Sequence, residues 1–186
     1  MISIYINDHI YDFDLKDALL QLSDQRREEA LKYKHELGQR TCAAAYLLLC
    51  QGLRELYGIT EKPIFEYGPH GKPSIIGHPD IHFNLSHCKE AVICAISDHP
   101  IGVDVESVER YKENVARHVM NERELKMIAE ADRPGVMFTR LWTMKEAFVK
   151  RSGSGIIDDM KHVLENVTGL ITVEGPHMRY VYSIAP

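Results

Sequence analysis

Ile2, Ile4 and Ile6 alternate with Ser3, Tyr5 and Asn7, the two-residue period of a strand with one buried face. Asn7-Asp8-His9 then makes a turn before Ile10 to Phe13, so the pattern predicts an opening hairpin. From Ser23 to Tyr57 there is no proline, and a charged stretch passes into an Ala/Leu-rich one that Gly58 stops; this predicts helix, divided in two near Gly38. Ile64 to Tyr67 reads as a short strand, followed by the turn-rich Gly68-Pro69-His70-Gly71-Lys72-Pro73. Ile81, Phe83 and Leu85 alternate with His82, Asn84 and Ser86, which puts the polar set on the opposite face of a strand. Ala91 to Ile96 is a fully apolar strand candidate, and after the turn Asp98-His99-Pro100 the alternation returns with Ile101, Val103 and Val105 against Gly102, Asp104 and Glu106.

Asn121-Glu122-Arg123-Glu124 has the form of a capping box opening a helix to about Ala131. Asp132-Arg133-Pro134 opens another, with Phe138, Leu141, Met144 and Phe148 at helical spacing and Ser152-Gly153-Ser154-Gly155 as its end. Leu170 to Glu174 and Arg179 to Ile184 close the chain as strands. Strand and helix groups thus occur twice around a seam at Asp98 to Pro100, which predicts an α+β fold of two similar lobes, residues 1–100 and 101–186.

Composition narrows the class. The 186 residues are 45% hydrophobic and 26% charged, an ordinary globular mix that excludes disordered, collagen-like and coiled-coil chains. Ala43 to Cys50, the longest apolar run, is too short to cross a bilayer, and the N-terminal residues have no basic segment or cleavage site, so a cytoplasmic protein without membrane contact is expected. Four cysteines form no Cys-x-x-Cys pair and read as reduced core thiols; ten scattered histidines lack zinc-site spacing. A net charge of −5 argues against nucleic acid as a partner, although Arg26, Arg27, Lys32, Lys34 and Arg40 cluster with His35.

Three segments carry candidate chemistry. Asp104 and Glu106 share one face of a strand about 7 Å apart, within reach of a common hard cation. Standing alone, such a pair is commonly the wet face of an edge strand. In Trp142-Thr143-Met144-Lys145-Glu146-Ala147-Phe148-Val149-Lys150, Thr143, Glu146 and Lys150 form one polar stripe; the bland alternative is a surface ion pair between Glu146 and Lys150, with Trp142 as scaffold. Phe83-Asn84-Leu85-Ser86-His87 ends in a hydroxyl and an imidazole suited to phosphate oxygens, whereas adjacent residues of a strand point apart and make a poor hydrolase dyad.

These segments, with Gly71-Lys72-Pro73 and Ile101-Gly102-Val103-Asp104-Val105-Glu106, resemble in order and spacing the signature of the 4'-phosphopantetheinyl transferases, in particular the larger surfactin-synthetase-activating class, over roughly Lys32 to Gly155. The resemblance implies a fold of two α+β lobes related by pseudo-twofold symmetry, a monomer, and transfer of the phosphopantetheine arm of coenzyme A to a serine of an apo acyl or peptidyl carrier protein with Mg²⁺. It implies Asp104, Glu106 and Glu146 as metal ligands, Glu146 as general base and Lys150 on the pyrophosphate; the two roles of Glu146 compete, because a metal-bound carboxylate is a poor base. Arg40, Lys72, Ser86 and His87 correspond to coenzyme A contacts: Arg40 and His87 at the 3'-phosphate, with Lys32 and Lys34 in an unfixed register beside them, and Lys72 by the adenine. Glu124 matches an acidic position of the family and also the N3 position of its own capping box. Lys145, Arg151 and Lys161, with the basic helix, are the cations expected to meet an acidic carrier protein. A Mg²⁺-dependent nucleotide pyrophosphate hydrolase and a non-catalytic coenzyme A binder are the competing readings.

Overall fold

The computed structural model describes residues 1–153 and 159–186. Strand β1, Ile2–Asn7, is followed by helices α1, Leu15–Gln21, α2, Asp24–Leu31, and α3, Glu36–Tyr57. Strands β2, Phe65–Tyr67, and β3, Pro73–Ile75, form a small ribbon, and β4, His82–His87, and β5, Val92–Ser97, complete the first half. Then come β6, Gly102–Ser107, α4, Glu113–Val119, α5, Glu122–Glu130, α6, Pro134–Ser152, β7, Ile171–Glu174, and β8, Tyr180–Ala185. The α+β class expected from the pattern is what the chain forms. Two antiparallel three-stranded sheets, ordered β1-β5-β4 and β6-β8-β7, each carry one long helix, α3 on the first and α6 on the second.

No opening hairpin forms. β1 pairs with β5, from Ile2 opposite Ser97 to Asn7 opposite Val92, and residues 10–13 turn away as a loop. The carbonyls of that loop are engaged by another element: the Arg40 guanidinium of α3 donates to Phe13 O at 2.8 Å and Ile10 O at 3.4 Å and lies over the rings of Tyr11 and Phe13. Ile10 is thereby delivered to the core beneath α3 rather than to a sheet. The helical break also falls earlier than expected, at residues 32–35, with Gly38 inside α3. The glycine serves packing there: a Cβ at Gly38 would stand 2.6 Å from Cδ1 of Tyr33, so only a bare backbone lets that ring fold over the first turn. Gly58 ends α3 in the left-handed conformation at φ 68°, as its position predicts.

The second half holds the more consequential packing. α6 starts at Pro134 and its last helical residue, Ser152, is capped by Gly153 at φ 66°; the Ser154-Gly155 part of the expected stop lies outside the described residues. The helix is surrounded rather than amphipathic, because β6 and β8 press on one side and α5 on another. Thr143 and Lys145 are therefore as buried as Leu141 and Val149. Gly102 permits the closest approach, since a Cβ there would sit 2.0 Å from the Ala147 carbonyl oxygen and 2.4 Å from the Arg151 nitrogen.

The capping box of α5 is present, Asn121 Oδ1 accepting from Glu124 N and Glu124 Oε2 accepting from Asn121 N, both at 2.9 Å. Glu124 Oε2 also accepts from Lys145 Nζ at 2.8 Å, and Lys145 donates in addition to the Met160 carbonyl at 2.6 Å. The Lys145 side chain is 0% exposed, which overturns the expectation that it meets a carrier protein. A strand-and-helix core cannot hold an ammonium unless every proton is engaged, so this residue belongs to the interior network that joins α5, α6 and residue 160. Lys145→Met leaves Glu124 buried and unpaired; urea denaturation is expected to show a loss of about 3–5 kcal/mol, and Lys145→Met with Glu124→Gln is expected to lose less than the sum of the two single changes.

Candidate functional site

The two sheets meet edge to edge at β4 and β6, yet no backbone ladder joins them. Side chains bridge the gap instead: Val103 N donates to Asn84 Oδ1 at 2.8 Å and Val105 N donates to Ser86 Oγ at 3.3 Å. Residues 84 and 86 on one strand thus match 103 and 105 on the other at the shared two-residue period. The polar set of β4 does lie opposite Phe83, but that face is buried too, Asn84 and Ser86 being 6% exposed each. Both satisfy strand amides that would otherwise be buried without acceptors.

Between those bridges stands Asp104, 4% exposed. Its Oδ1 accepts from Lys150 Nζ at 2.6 Å and from the Ser86 hydroxyl at 2.8 Å; Lys150 also donates to Ser86 Oγ at 3.0 Å. Ser86 donates its single proton to Asp104 and accepts two bonds, so its capacity is filled, and a bond from this hydroxyl to a phosphate requires giving up the one to Asp104. Asp104 Oδ2, by contrast, is buried and has no hydrogen-bond partner among the described residues. An ionised carboxylate oxygen stripped of water and left unpaired is costly, and a cation at that point is what its chemistry calls for.

Glu106 and Glu146 flank this centre. The Glu106 carboxyl is raised above the usual carboxylate range by burial and by Asp104, although Arg110 pairs with it and pulls the other way. Burial, and then the charge of Asp104, raise the Glu146 carboxyl likewise, against the pull of Lys150. Asp104, Glu106, Glu146 and Lys150 line one cavity of about 310 Å³ together with Ser86, His87, Leu85 and Trp142. Among the described residues no three ligating side chains already converge on one point, since Lys150 engages Asp104 and Arg110 engages Glu106. The orphaned Oδ2 and two carboxyls held above their ordinary range by burial and by the negative charge of Asp104 nevertheless fit a hard divalent ion with oxygen ligands.

The stripe expected on α6 divides. Glu146 and Lys150 reach the cavity, whereas Thr143 is wholly buried against β8, its hydroxyl 2.8 Å from Ser183 Oγ. Lys150 turns to Asp104 and not to a surface pairing with Glu146, because the charge on β6 is the more deeply desolvated partner. Trp142, expected as scaffold, stacks on Phe138 with ring centres 6.4 Å apart and also walls the cleft beside Glu146 and Lys150.

A second cavity of about 460 Å³ adjoins the first through Leu85, Trp142, Glu146 and Lys150 and runs under the turn His70-Gly71-Lys72-Pro73. Lys72 stands in its wall with the ammonium directed at the carbonyls of Ile101 and Arg151. His87 closes the opposite end; crowding by protein, then Lys150 and Arg26, hold its imidazole below the usual range. Arg40 is not brought to these cavities: 12% exposed, it is committed to Glu36, Phe13 O and Ile10 O. Arg26 of α2 is the cation of the basic run whose charge reaches His87, and its Nε is buried without a hydrogen-bond partner among the described residues. Lys32 bonds Glu29, and Lys34 lines neither cavity. Sequence reasoning passed over Asn84, Arg26 and Arg110. The basic run contained Arg26, but nothing in its spacing separates that residue from its neighbours.

The description 4'-phosphopantetheinyl transferase superfamily matches residues 100–180. The chain is 32% identical over 138 residues to the 4'-phosphopantetheinyl transferase psf-1 of Bacillus pumilus, covering 73% of this chain and 59% of that protein. It is 30% identical over 138 residues to the 4'-phosphopantetheinyl transferase Sfp of Bacillus subtilis strain 168, at 73% and 62% coverage. To the 4'-phosphopantetheinyl transferase gsp of Aneurinibacillus migulanus it is 30% identical over 154 residues, at 81% and 62%. The chain therefore spans about three fifths of the length of these curated relatives. β6, α6 and their carboxylate–lysine centre all lie inside the segment similar to the 4'-phosphopantetheinyl transferase superfamily.

Proposed function

We propose that this protein transfers the 4'-phosphopantetheine arm of coenzyme A to a serine hydroxyl of an apo acyl or peptidyl carrier protein, releasing adenosine 3',5'-bisphosphate. The observation that carries the reading is the buried Asp104, bonded by Lys150 and Ser86 and left with one unpartnered oxygen, at the junction of two cavities large enough for a nucleotide and its pyrophosphate. The two three-stranded sheets, each with its long helix, support a reading as lobes of residues 1–100 and 101–186 related by pseudo-twofold symmetry, acting as a monomer with the ligand between them. Four free cysteines fit a reducing cytoplasm, and among the described residues no helix is long and apolar enough to cross a membrane.

Asp104, Glu106 and Glu146 would hold a Mg²⁺ ion, which when bound offsets the charge of the pyrophosphate. The protein's own groups do the rest. Lys150, bonded to Asp104 in the same cavity, stabilises the leaving phosphate as charge develops on it. Glu146, whose carboxyl is raised by burial, has two roles that compete: held by the metal it is a poor base, and off the metal, directly or through water, it would accept the serine proton. His87 on β4, with the charge of Arg26 on α2 acting on it, would take one phosphate end of the donor at the 310 Å³ cavity, and the 68–73 turn covers the adjoining one. The exposed Arg151 and Lys161 offer cations to an acidic carrier.

Intact mass spectrometry of apo carrier proteins incubated with the protein, coenzyme A and Mg²⁺ tests the reading. A gain of one phosphopantetheine arm that a serine-to-alanine carrier does not show is expected; degradation of coenzyme A without carrier modification would replace transfer by hydrolysis. Asp104→Ala is expected to lower the transfer rate about 100-fold or more, the scale on which one transition-state charge contact acts. His87→Ala is expected to raise the coenzyme A KM more than it lowers kcat, measured by initial rates.

Because the Glu106 and Glu146 carboxyls are raised in the fold, the folded protein binds more protons than the unfolded chain between the ordinary and the raised range; their contribution to stability is present at low pH and lost as pH rises through the raised values. At pH 7 without divalent cations, Glu146→Gln is expected to melt about 2–4 °C above wild type, the shift ~1 kcal/mol produces in a domain of this size, with the difference closing below about pH 4. Added Mg²⁺ is expected to raise the wild-type melting temperature and to leave that of Asp104→Ala unmoved.

A further inference from the structure

Lys72 links three parts of the chain that are far apart in sequence. It leaves the turn that covers the 460 Å³ cavity, and its Nζ donates to Arg151 O at 2.7 Å and to Ile101 O at 3.2 Å. Arg151 O is one of the last carbonyls of α6, and Ile101 O lies just before β6. A cation at a helix C-terminus also complements the helix dipole. The same crossing is where α6 and β6 come closest, at Gly102, and the stem of Lys72 packs over Gly153, where a Cβ would stand 3.0 Å from Lys72 Cδ. Arg151 follows Lys150, and Ile101 precedes Asp104 by three residues. One ammonium therefore holds the ends of both elements that bring Lys150 and Asp104 to 2.6 Å.

We infer that Lys72 is a positioning residue: its ammonium clamps the end of α6 to the start of β6 and thereby sets the Lys150–Asp104 geometry, rather than contacting the coenzyme itself. The inference rests on the proposed transfer for its kinetic consequence but not for its structural one. Among the described residues both hydrogen-bond acceptors of its ammonium are main-chain oxygens, and neither is a side chain of the proposed phosphate-handling set. Since a displacement of about 1 Å near reacting groups can cost 100-fold in rate, loosening this clamp acts on kcat and not on nucleotide affinity.

Two measurements on the full chain decide it. In transfer kinetics with a carrier that the wild type modifies, Lys72→Met is expected to lower kcat about 10-fold or more and to leave the coenzyme A KM within about 2-fold, and Lys72→Arg, which keeps donors for both carbonyls, to recover most of kcat. A raised KM with kcat retained would make Lys72 a ligand contact and overturn the inference. In amide hydrogen exchange, Lys72→Met is expected to speed exchange at residues 102–105 and 149–153 about 10-fold while β1 and β5 keep their protection; unchanged exchange at both segments would overturn it equally. If the wild type modifies no carrier, the proposed function fails while the exchange result still stands for or against the clamp. Should Lys72→Met not fold, Lys72→Gln, which keeps one donor, carries the same two measurements.

Discussion

The buried carboxylate of Asp104 is the constraint on which the site depends. A charge so far removed from water persists only because Lys150 from α6 and Ser86 from β4 both bond one of its oxygens. Each partner comes from a different element, so the two sheets and the long helix have to be in register before the charge is tolerable. The second oxygen is left unsatisfied by the protein alone, which concentrates unpaid electrostatic cost at the point where a cation and a pyrophosphate would supply the missing interactions.

That arrangement explains why β4 and β6 approach without forming a ladder. Direct pairing of the strands would spend their amides and carbonyls on each other and close the gap. With Asn84 and Ser86 accepting the Val103 and Val105 amides through their side chains, the strands stay a side chain apart, and the cleft that holds Asp104, Glu146 and Lys150 opens between them. The sheets then lean on two further polar fastenings, the Lys72 ammonium at the α6–β6 crossing and the Lys145–Glu124 pair between α6 and α5. Polar contacts specify position more sharply than apolar packing, and here they sit on the helix that carries Glu146 and Lys150.

Electrostatics inside the cleft follow from crowding like charges in a desolvated space. Glu106 and Glu146 rise because burial and Asp104 penalise a second and third negative charge, while burial, then Lys150 and Arg26, depress His87. Such crowding of charge is a local loss of stability, the pattern expected where a site and stability compete.

Much of this was legible in the residues. Periodicity located β1, β4 to β8, α5 and α6, Gly58 marked the end of α3 and Asn121 the start of α5, while Asp104, Glu106, Glu146 and Lys150 were singled out by the resemblance of their segments to a family signature and line one cavity. Local periods and caps are short-range physics, so the sequence by itself determined elements, polarity and the chemical inventory. Tertiary structure alone decided the partners: that β1 pairs with β5 instead of forming a hairpin, that Lys145 is interior, that Arg40 fastens a loop while Arg26 faces His87, and that Lys72 bonds two carbonyls. A side chain's role depends on which distant backbone and charges surround it, and those neighbours are set by packing across the whole chain, which no local pattern encodes.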